Sequence, residues 1–180
     1  MSHQNEGTIH SDIKVTFDKF DPSRVKKVDL FDGDDKNNAY VLYNLFTKAE
    51  CEKIIKACEE RGFDRLENSL KGYRDNDRII CQAKTFADEM TKRIKHFIAD
   101  EVVINKDTKT IVTNPLMYGK WTFDHLNERV RLCRYKPTNK FKKHYDSGYH
   151  PDPFTQRTLK TCMVYLNDGF SGRSEEHTSE

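Results

Sequence analysis

The feature that most limits what this chain can fold into is a change of hydrophobic period near residue 129. Ahead of it, apolar residues recur at helical spacing in two places. Thr47-x-x-Glu50 has the pattern of a capping box, Cys51, Ile54, Ile55 and Cys58 follow at helical spacing, and Gly62 is placed to end the helix. A second helix is predicted from near Thr85 to Asp100, with Phe86, Met90, Ile94, Phe97 and Ile98 in one stripe and charges opposite. From Arg129 onward the period is two. Val130, Leu132 and Arg134 alternate with Arg131, Cys133 and Tyr135, which puts Cys133 and Tyr135 on one face of a strand.

Further strands are predicted after a turn at Pro137 and Asn139. One carries Phe141, Lys143 and Tyr145 on one side and Lys142, His144 and Asp146 on the other. Another runs from Thr158 to Asn167, with Thr161, Met163 and Tyr165 on one face and Cys162, Val164 and Leu166 on the other. Residues 39–46 are a β-rich run, and 104–116 read as a loop with strand character. Helices first and antiparallel strands afterwards predict an α+β fold whose sheet is a sandwich or barrel. Residues 1–37 are polar, with few apolar positions and the turn-rich Asp32-Gly-Asp-Asp-Lys-Asn-Asn38. They are expected to form a poorly ordered arm with room for one edge strand, followed by a helical and strand support region over 38–128.

With 180 residues, 36% apolar and 33% charged, the chain has the composition of one soluble globular domain. Its 31 basic and 29 acidic side chains nearly cancel, which gives no general case for a nucleic-acid or membrane-surface partner. The polar start lacks the apolar core of a secretory signal and no run approaches a bilayer-spanning length, so a cytoplasmic or nuclear setting is expected. Cys51, Cys58, Cys81, Cys133 and Cys162 are an odd set without a Cys-x-x-Cys pair and read as reduced core thiols. The stretch Arg173-Ser-Glu-Glu-His-Thr-Ser-Glu180 can be written AGA TCG GAA GAG CAC ACG TCT GAA, which resembles the start of the adapter ligated to short-read sequencing libraries. On that reading 173–180 is a non-native tail, the natural sequence was cut near Gly172, and His177 carries no functional weight. A genuine polar tail is the alternative.

His144-Tyr-Asp146 places an imidazole and a carboxylate two residues apart on a predicted strand, so both point the same way. They could take adjacent corners of one metal's coordination shell, two-thirds of a 2-His-1-carboxylate facial triad for Fe(II). Chance predicts about 0.7 His-x-Asp triplets in this composition, and the sequence has three. His10-Ser-Asp12 falls in the polar arm and His150-Pro-Asp152 in a proline-bounded loop, where no strand fixes their geometry.

The company of His144 is more specific. Arg131-Leu-Cys-Arg-Tyr135-Lys-Pro-x-x-x-Phe141-x-x-His144-x-Asp146 is followed by Arg157-Thr-Leu-Lys-Thr161-x-x-x-Tyr165-Leu-Asn-Asp-Gly-Phe-x-Gly172. This combination resembles the prolyl 4-hydroxylase-like branch of the Fe(II)- and 2-oxoglutarate-dependent dioxygenases. The resemblance implies a double-stranded β-helix, or jelly roll, whose first part is 129–172 with the N-terminal helices packed on it. By position His144 and Asp146 match the first two iron ligands, and Tyr135 and Tyr165 match tyrosines that contact 2-oxoglutarate. Oxidative decarboxylation of 2-oxoglutarate to succinate would be coupled to hydroxylation of a substrate C–H bond, with O₂ as oxidant, ascorbate as a further cofactor, and a protein, peptide or small-molecule substrate. The third ligand of such enzymes, a distal His followed by a Lys or Arg for the cosubstrate's far carboxylate, has no counterpart here. The chain is therefore expected to be an inactive fragment of a longer parent enzyme of this kind.

Each of these residues also has a plainer account. Tyr135 and Tyr165 suit a sandwich core as well as a cosubstrate site. Lys136, Lys140, Lys142 and Lys143 suit a charged sheet edge as well as attraction of an acidic ligand. Arg74, Asp75 and Arg78, within Tyr73-Arg-Asp-Asn-Asp-Arg78, could line a substrate lid or form surface ion pairs. A small binding or interaction module with an incidental His-x-Asp pair is the alternative to the enzyme.

Overall fold

Ile79, Ile80 and Cys81 are buried in succession, which a strand achieves only when both of its faces are covered. They belong to β5, the strand around which the main sheet is built. The computed structural model describes residues 9–32, 39–65, 74–106, 117–142, 144, 146, 148–152 and 155–170. Among these the elements run β1 (Ile9–His10), a 3₁₀ turn (Pro22–Arg24), β2 (Lys26–Asp29), β3 (Tyr40–Tyr43), α1 (Lys48–Arg61), β4 (Asp64–Arg65) and β5 (Asp77–Gln82). They continue with α2 (Lys84–Ile94), β6 (Glu101–Ile104), β7 (Gly119–Thr122) and β8 (Arg129–Arg134). The architecture is α+β, as the change of period predicts.

β8 lies antiparallel along the whole of β5, from Asp77 opposite Arg134 to Gln82 opposite Arg129. The other edge of β5 is shared end to end. β4 pairs antiparallel at Asp77 and Arg78, and β1 pairs parallel at Ile80 and Cys81. Two antiparallel pairs, β2 with β3 and β6 with β7, stand beside this sheet. The register puts Val130 and Leu132 across from Cys81 and Ile79, on the face that packs against Ile54 and Cys58 of α1 and Phe86, Met90 and Ile94 of α2. Alternation turns Ile80, Arg131 and Cys133 to the opposite face.

The two helices form for different reasons. α1 carries its own start signal: the Thr47 hydroxyl accepts from the Glu50 amide at 3.1 Å while a Glu50 carboxylate oxygen accepts from the Thr47 amide at 2.8 Å. At its end Gly62 adopts φ +81°, a left-handed conformation that costs glycine little, and its amide closes on the Cys58 and Glu59 carbonyls. α2 has no side-chain cap of its own at Ala83. The Thr85 amide instead donates to an Asp12 carboxylate oxygen at 3.0 Å. α2 also stops at Ile94 rather than near residue 100. A turn closed by the Phe97 amide on the Ile94 carbonyl follows, and Phe97 and Ile98 still reach the core.

Residues 9–32 differ from the poorly ordered arm expected of them. Ile13 is buried, and Val15, Phe17, Phe20 and Val25 pack against the same core as the helices. The Arg61 guanidinium ties the segment down by donating to the Ser11 and Asp12 carbonyls. Its alternation of apolar residues at 13, 15 and 17 was the available sequence signal, hidden by the polar composition of the stretch as a whole.

The strands expected over 141–146 and 158–167 are not present as ladders among the described residues. Phe141 makes one isolated antiparallel bridge to Arg74, and Asp152 one to Gln156. Val164 and Leu166 pack on the core from irregular chain. Alternation specifies which side chains share a face, but a ladder also needs a neighbouring backbone in register. The described strands thus form small mixed and antiparallel sheets, and the double-stranded β-helix is not among them. Lys143, Tyr145 and the tail 173–180 lie outside the described residues. The thiols also divide: Cys58 and Cys81 are buried and Cys51 half-buried, whereas Cys133 and Cys162 are exposed rather than core. No helix among the described residues is long and apolar enough to cross a membrane.

Candidate metal site at His144 and Asp146

The segment after β8 is returned to the start of β5 by its own turn. The Asn139 amide donates to the Lys136 carbonyl at 2.9 Å, and the Asn139 side chain accepts from the Lys136 amide at 2.8 Å, the tight turn expected after Pro137. Asp75 then takes hold of Lys140 twice. Its amide donates to the Lys140 carbonyl at 3.2 Å, and its carboxylate accepts from the Lys140 amide. With the Arg74 bridge to Phe141, these bonds place His144 beside the sheet.

His144 is fixed on three sides. Its Nδ1 lies 2.9 Å from the Lys142 carbonyl, which can only accept, so Nδ1 carries a hydrogen. Its ring stacks on Phe141 with centroids 3.8 Å apart and planes 28° apart. Its Nε2 lies 3.2 Å from Asp146 Oδ1. Asp146 is oriented in turn by Thr161, whose hydroxyl donates to Oδ2 at 2.8 Å. In a neutral imidazole with the hydrogen on Nδ1, Nε2 presents a lone pair, so a lone pair and a carboxylate oxygen face each other. A proton or a cation must sit between two such groups for the approach to be favourable.

The fit to a metal can be judged from this geometry. Two donors at adjacent octahedral positions, each about 2.1 Å from an ion, stand about 3.0 Å apart. The observed 3.2 Å is close to that separation. The bond from Nδ1 to a backbone carbonyl is the usual outer-shell support of a metal-bound imidazole. Among the described residues no third His, Cys, Asp or Glu joins the pair. The side chains present fit two positions of a metal shell, each with its outer support.

The other expected site residues are placed as follows. Tyr135 directly follows β8 and is exposed; Tyr165 is exposed, with its ring against Phe170 at 6.0 Å. Arg74 lies over the Phe141 ring at 4.3 Å, one ring removed from His144. Arg78 sits inside β5, paired on both sides, which puts it in the sheet rather than in a lid loop. Lys136 ion-pairs with Asp77 at 2.9 Å, so part of the basic run is spent on structure. Of the other His-x-Asp pairs, His10 binds Asp64 at 2.9 Å from within β1 while Asp12 caps α2, and His150 is exposed.

Phe141 and Thr161 stand in the sequence pattern, but the pattern assigns them no role at the pair; Asn76, fully buried and bonded to Arg74, stands within the stretch 73–78 and is likewise assigned none. Thr161 reaches Asp146 from fifteen residues away, which spacing could not reveal, whereas Phe141 with His144 and Asn76 with Arg74 are near neighbours in the chain whose contacts only the folded backbone sets. The chain matches no protein-family model, no curated protein and no solved structure.

Proposed function

We propose that this chain carries the first two iron ligands, His144 and Asp146, of an Fe(II)- and 2-oxoglutarate-dependent hydroxylase of the prolyl 4-hydroxylase-like kind. The observation that carries the reading is the convergence of His144 Nε2 and Asp146 Oδ1 at 3.2 Å, each held from behind by the Lys142 carbonyl and the Thr161 hydroxyl. Bound iron would supply the oxidative chemistry with 2-oxoglutarate and O₂, and ascorbate would act as a further cofactor. The protein's part is to orient the two donors, and Tyr135 and Tyr165 are proposed to meet the cosubstrate. A protein or peptide is the proposed substrate.

Of the histidines after Asp146, His150 is too close in sequence to serve as the distal ligand and His177 lies in the adapter-like stretch. The third ligand is proposed to belong to a longer parent, whose further strands would complete a double-stranded β-helix. The chain as it stands then binds metal weakly and does not turn over.

A second reading rests on the same distance. An imidazolium at His144 would form an ordinary ion pair with Asp146, and the segment would serve a binding module without metal.

Co(II) titration of the chain, followed by visible absorption, separates the two. Binding that tightens with 2-oxoglutarate and is lost in His144→Ala and in Asp146→Ala supports the dioxygenase reading. A wild-type chain indifferent to Co(II) supports the ion pair. A reading frame extended past Gly172 is expected to release succinate with Fe(II) and 2-oxoglutarate, and His144→Ala to abolish that release.

A further inference from the structure

Arg74, Phe141 and His144 form a continuous stack. The Arg74 guanidinium carbon lies 4.3 Å from the centre of the Phe141 ring, and that ring stacks on the His144 imidazole at 3.8 Å. The guanidinium is itself aimed from the sheet. Its Nε donates to Oδ1 of Asn76, a residue with no solvent exposure, and Asn76 Nδ2 donates to the Asp77 carbonyl at 3.0 Å. Its Nη2 lies 3.4 Å from Cys133 Sγ on the neighbouring strand. The backbones at the two ends of the stack are bridged as well, Arg74 to Phe141.

We propose that Arg74 is a positioning residue for His144, acting through Phe141 to fix the plane in which the imidazole presents Nε2 to Asp146. Three physical points support it. A ring held only by the Nδ1 bond to Lys142 could still swing about that bond, and a flat partner on its face removes that freedom. A guanidinium covers an aromatic face with a rigid plane, which a lysine ammonium does not. Asn76 is buried at the head of β5, so the plane of Arg74 is referred to the most tightly packed strand rather than to a loop. A metal-ligand role for the ring so positioned rests on the function proposed above. The stack itself does not.

The test therefore reads the stack directly, without metal, and metal binding separately. In the NMR spectrum of the chain with no metal added, the His144 ring protons are expected to lie upfield of their positions in Phe141→Leu, because the Phe141 ring current shields them. Phe141→Tyr should retain the displacement. Arg74→Ala and Arg74→Lys should each lose most of it while the amide pattern of β5 and β8 stays in place. The same two variants are expected to weaken Co(II) binding about ten-fold, the usual effect of removing an outer support.

Arg74→Ala with the wild-type ring shifts would overturn the proposal. So would Arg74→Lys retaining them, since charge rather than the flat face would then hold Phe141. A wild-type chain that shows the ring shifts and the Arg74 dependence, while a reading frame extended past Gly172 releases no succinate with Fe(II) and 2-oxoglutarate, sinks the dioxygenase reading and upholds the positioning.

Discussion

Arg93 and Glu50 face each other in the interior, with Nη2 2.6 Å from Oε1 and Nη1 3.1 Å from Oε2, and neither side chain has any solvent exposure. Arg93 donates further to the Leu45 and Asp18 carbonyls and to Glu89, and its guanidinium lies within 5.3 Å of the Phe17, Phe20 and Phe46 ring centres. Glu50 also accepts from the Thr47 and Asp18 amides. One ion pair thus joins α1, α2, the turn before α1 and the N-terminal segment.

Breaking that pair from one side takes the strongest partner from a buried charge, leaving Arg93 with Glu89 at 2.8 Å or Glu50 with Arg24 at 3.4 Å. Glu50→Ala and Arg93→Ala are each expected to cost about 3 kcal/mol, the low end for a broken buried pair. Urea denaturation followed by circular dichroism reads the cost as a fall in midpoint. A loss under about 1 kcal/mol for both would mean that water reaches the pair.

The pair also sets an acid limit. Burial alone raises the Glu50 pKa, but the Arg93 bonds and the two amides more than offset it and hold the carboxyl down to about 2, from an ordinary 4.5. A depressed carboxylate contributes stability that is complete above its unfolded pKa and is lost as the pH falls through its folded one. The stability difference between wild type and Glu50→Gln is therefore expected to be constant above about pH 4.5 and to shrink between 4.5 and 2. Urea midpoints of both proteins across that range check the sign. A difference that grows toward acid would contradict the assignment.

The Thr47 hydroxyl at α1 and the Asp12 carboxylate at α2 each accept from a first-turn amide. Thr47→Ala and Asp12→Ala are each expected to lower stability by about 1 kcal/mol. Hydrogen exchange distinguishes the two, because Thr47→Ala should raise exchange at the first turn of α1 and Asp12→Ala at the Thr85 amide of α2. Unchanged exchange at Thr85 in Asp12→Ala would show that the bond across the chain is not a cap.

Thr161 supports Asp146 from a segment fifteen residues on. Thr161→Val keeps the shape and removes the hydroxyl, and is expected to weaken Co(II) binding by about ten-fold. An affinity equal to wild type would mean that Asp146 is oriented without it.

The thiols should separate by burial. Cys133 is exposed, whereas Cys58 and Cys81 are buried and burial pushes both thiols up, Cys58 to about 11. Brief iodoacetamide labelling of the native chain, read by mass spectrometry, is expected to modify Cys133 well before Cys58 or Cys81. Labelling of Cys58 at the same rate would show that α1 opens from the sheet.

The parts of this fold legible in the residues alone are those whose causes lie close together in the chain. α1 could be read because Thr47, Glu50 and Gly62 sit within or beside the helix they bound, and its stripe repeats with the helical period. β8 could be read because Val130 and Leu132 alternate with Arg131 and Cys133. The spacing of His144 and Asp146 likewise pointed to a shared direction, and the two side chains do converge, although by a turn and isolated bridges rather than a strand ladder. What only the tertiary structure decided depends on partners far away in sequence. The cap of α2 comes from Asp12, 73 residues distant, so nothing near Ala83 announces it. The N-terminal segment joins the core because Arg61 and β5 receive it, despite a composition that taken alone suggests solvent. The stretch to Leu166 has the alternation of a strand, yet forms no ladder among the described residues. Arg74 and Thr161 gain their places beside His144 and Asp146 from bonds across the fold. Periodicity and capping are local properties of a chain, whereas pairing, burial and the convergence of a site are relations between segments, and only packing brings those segments together.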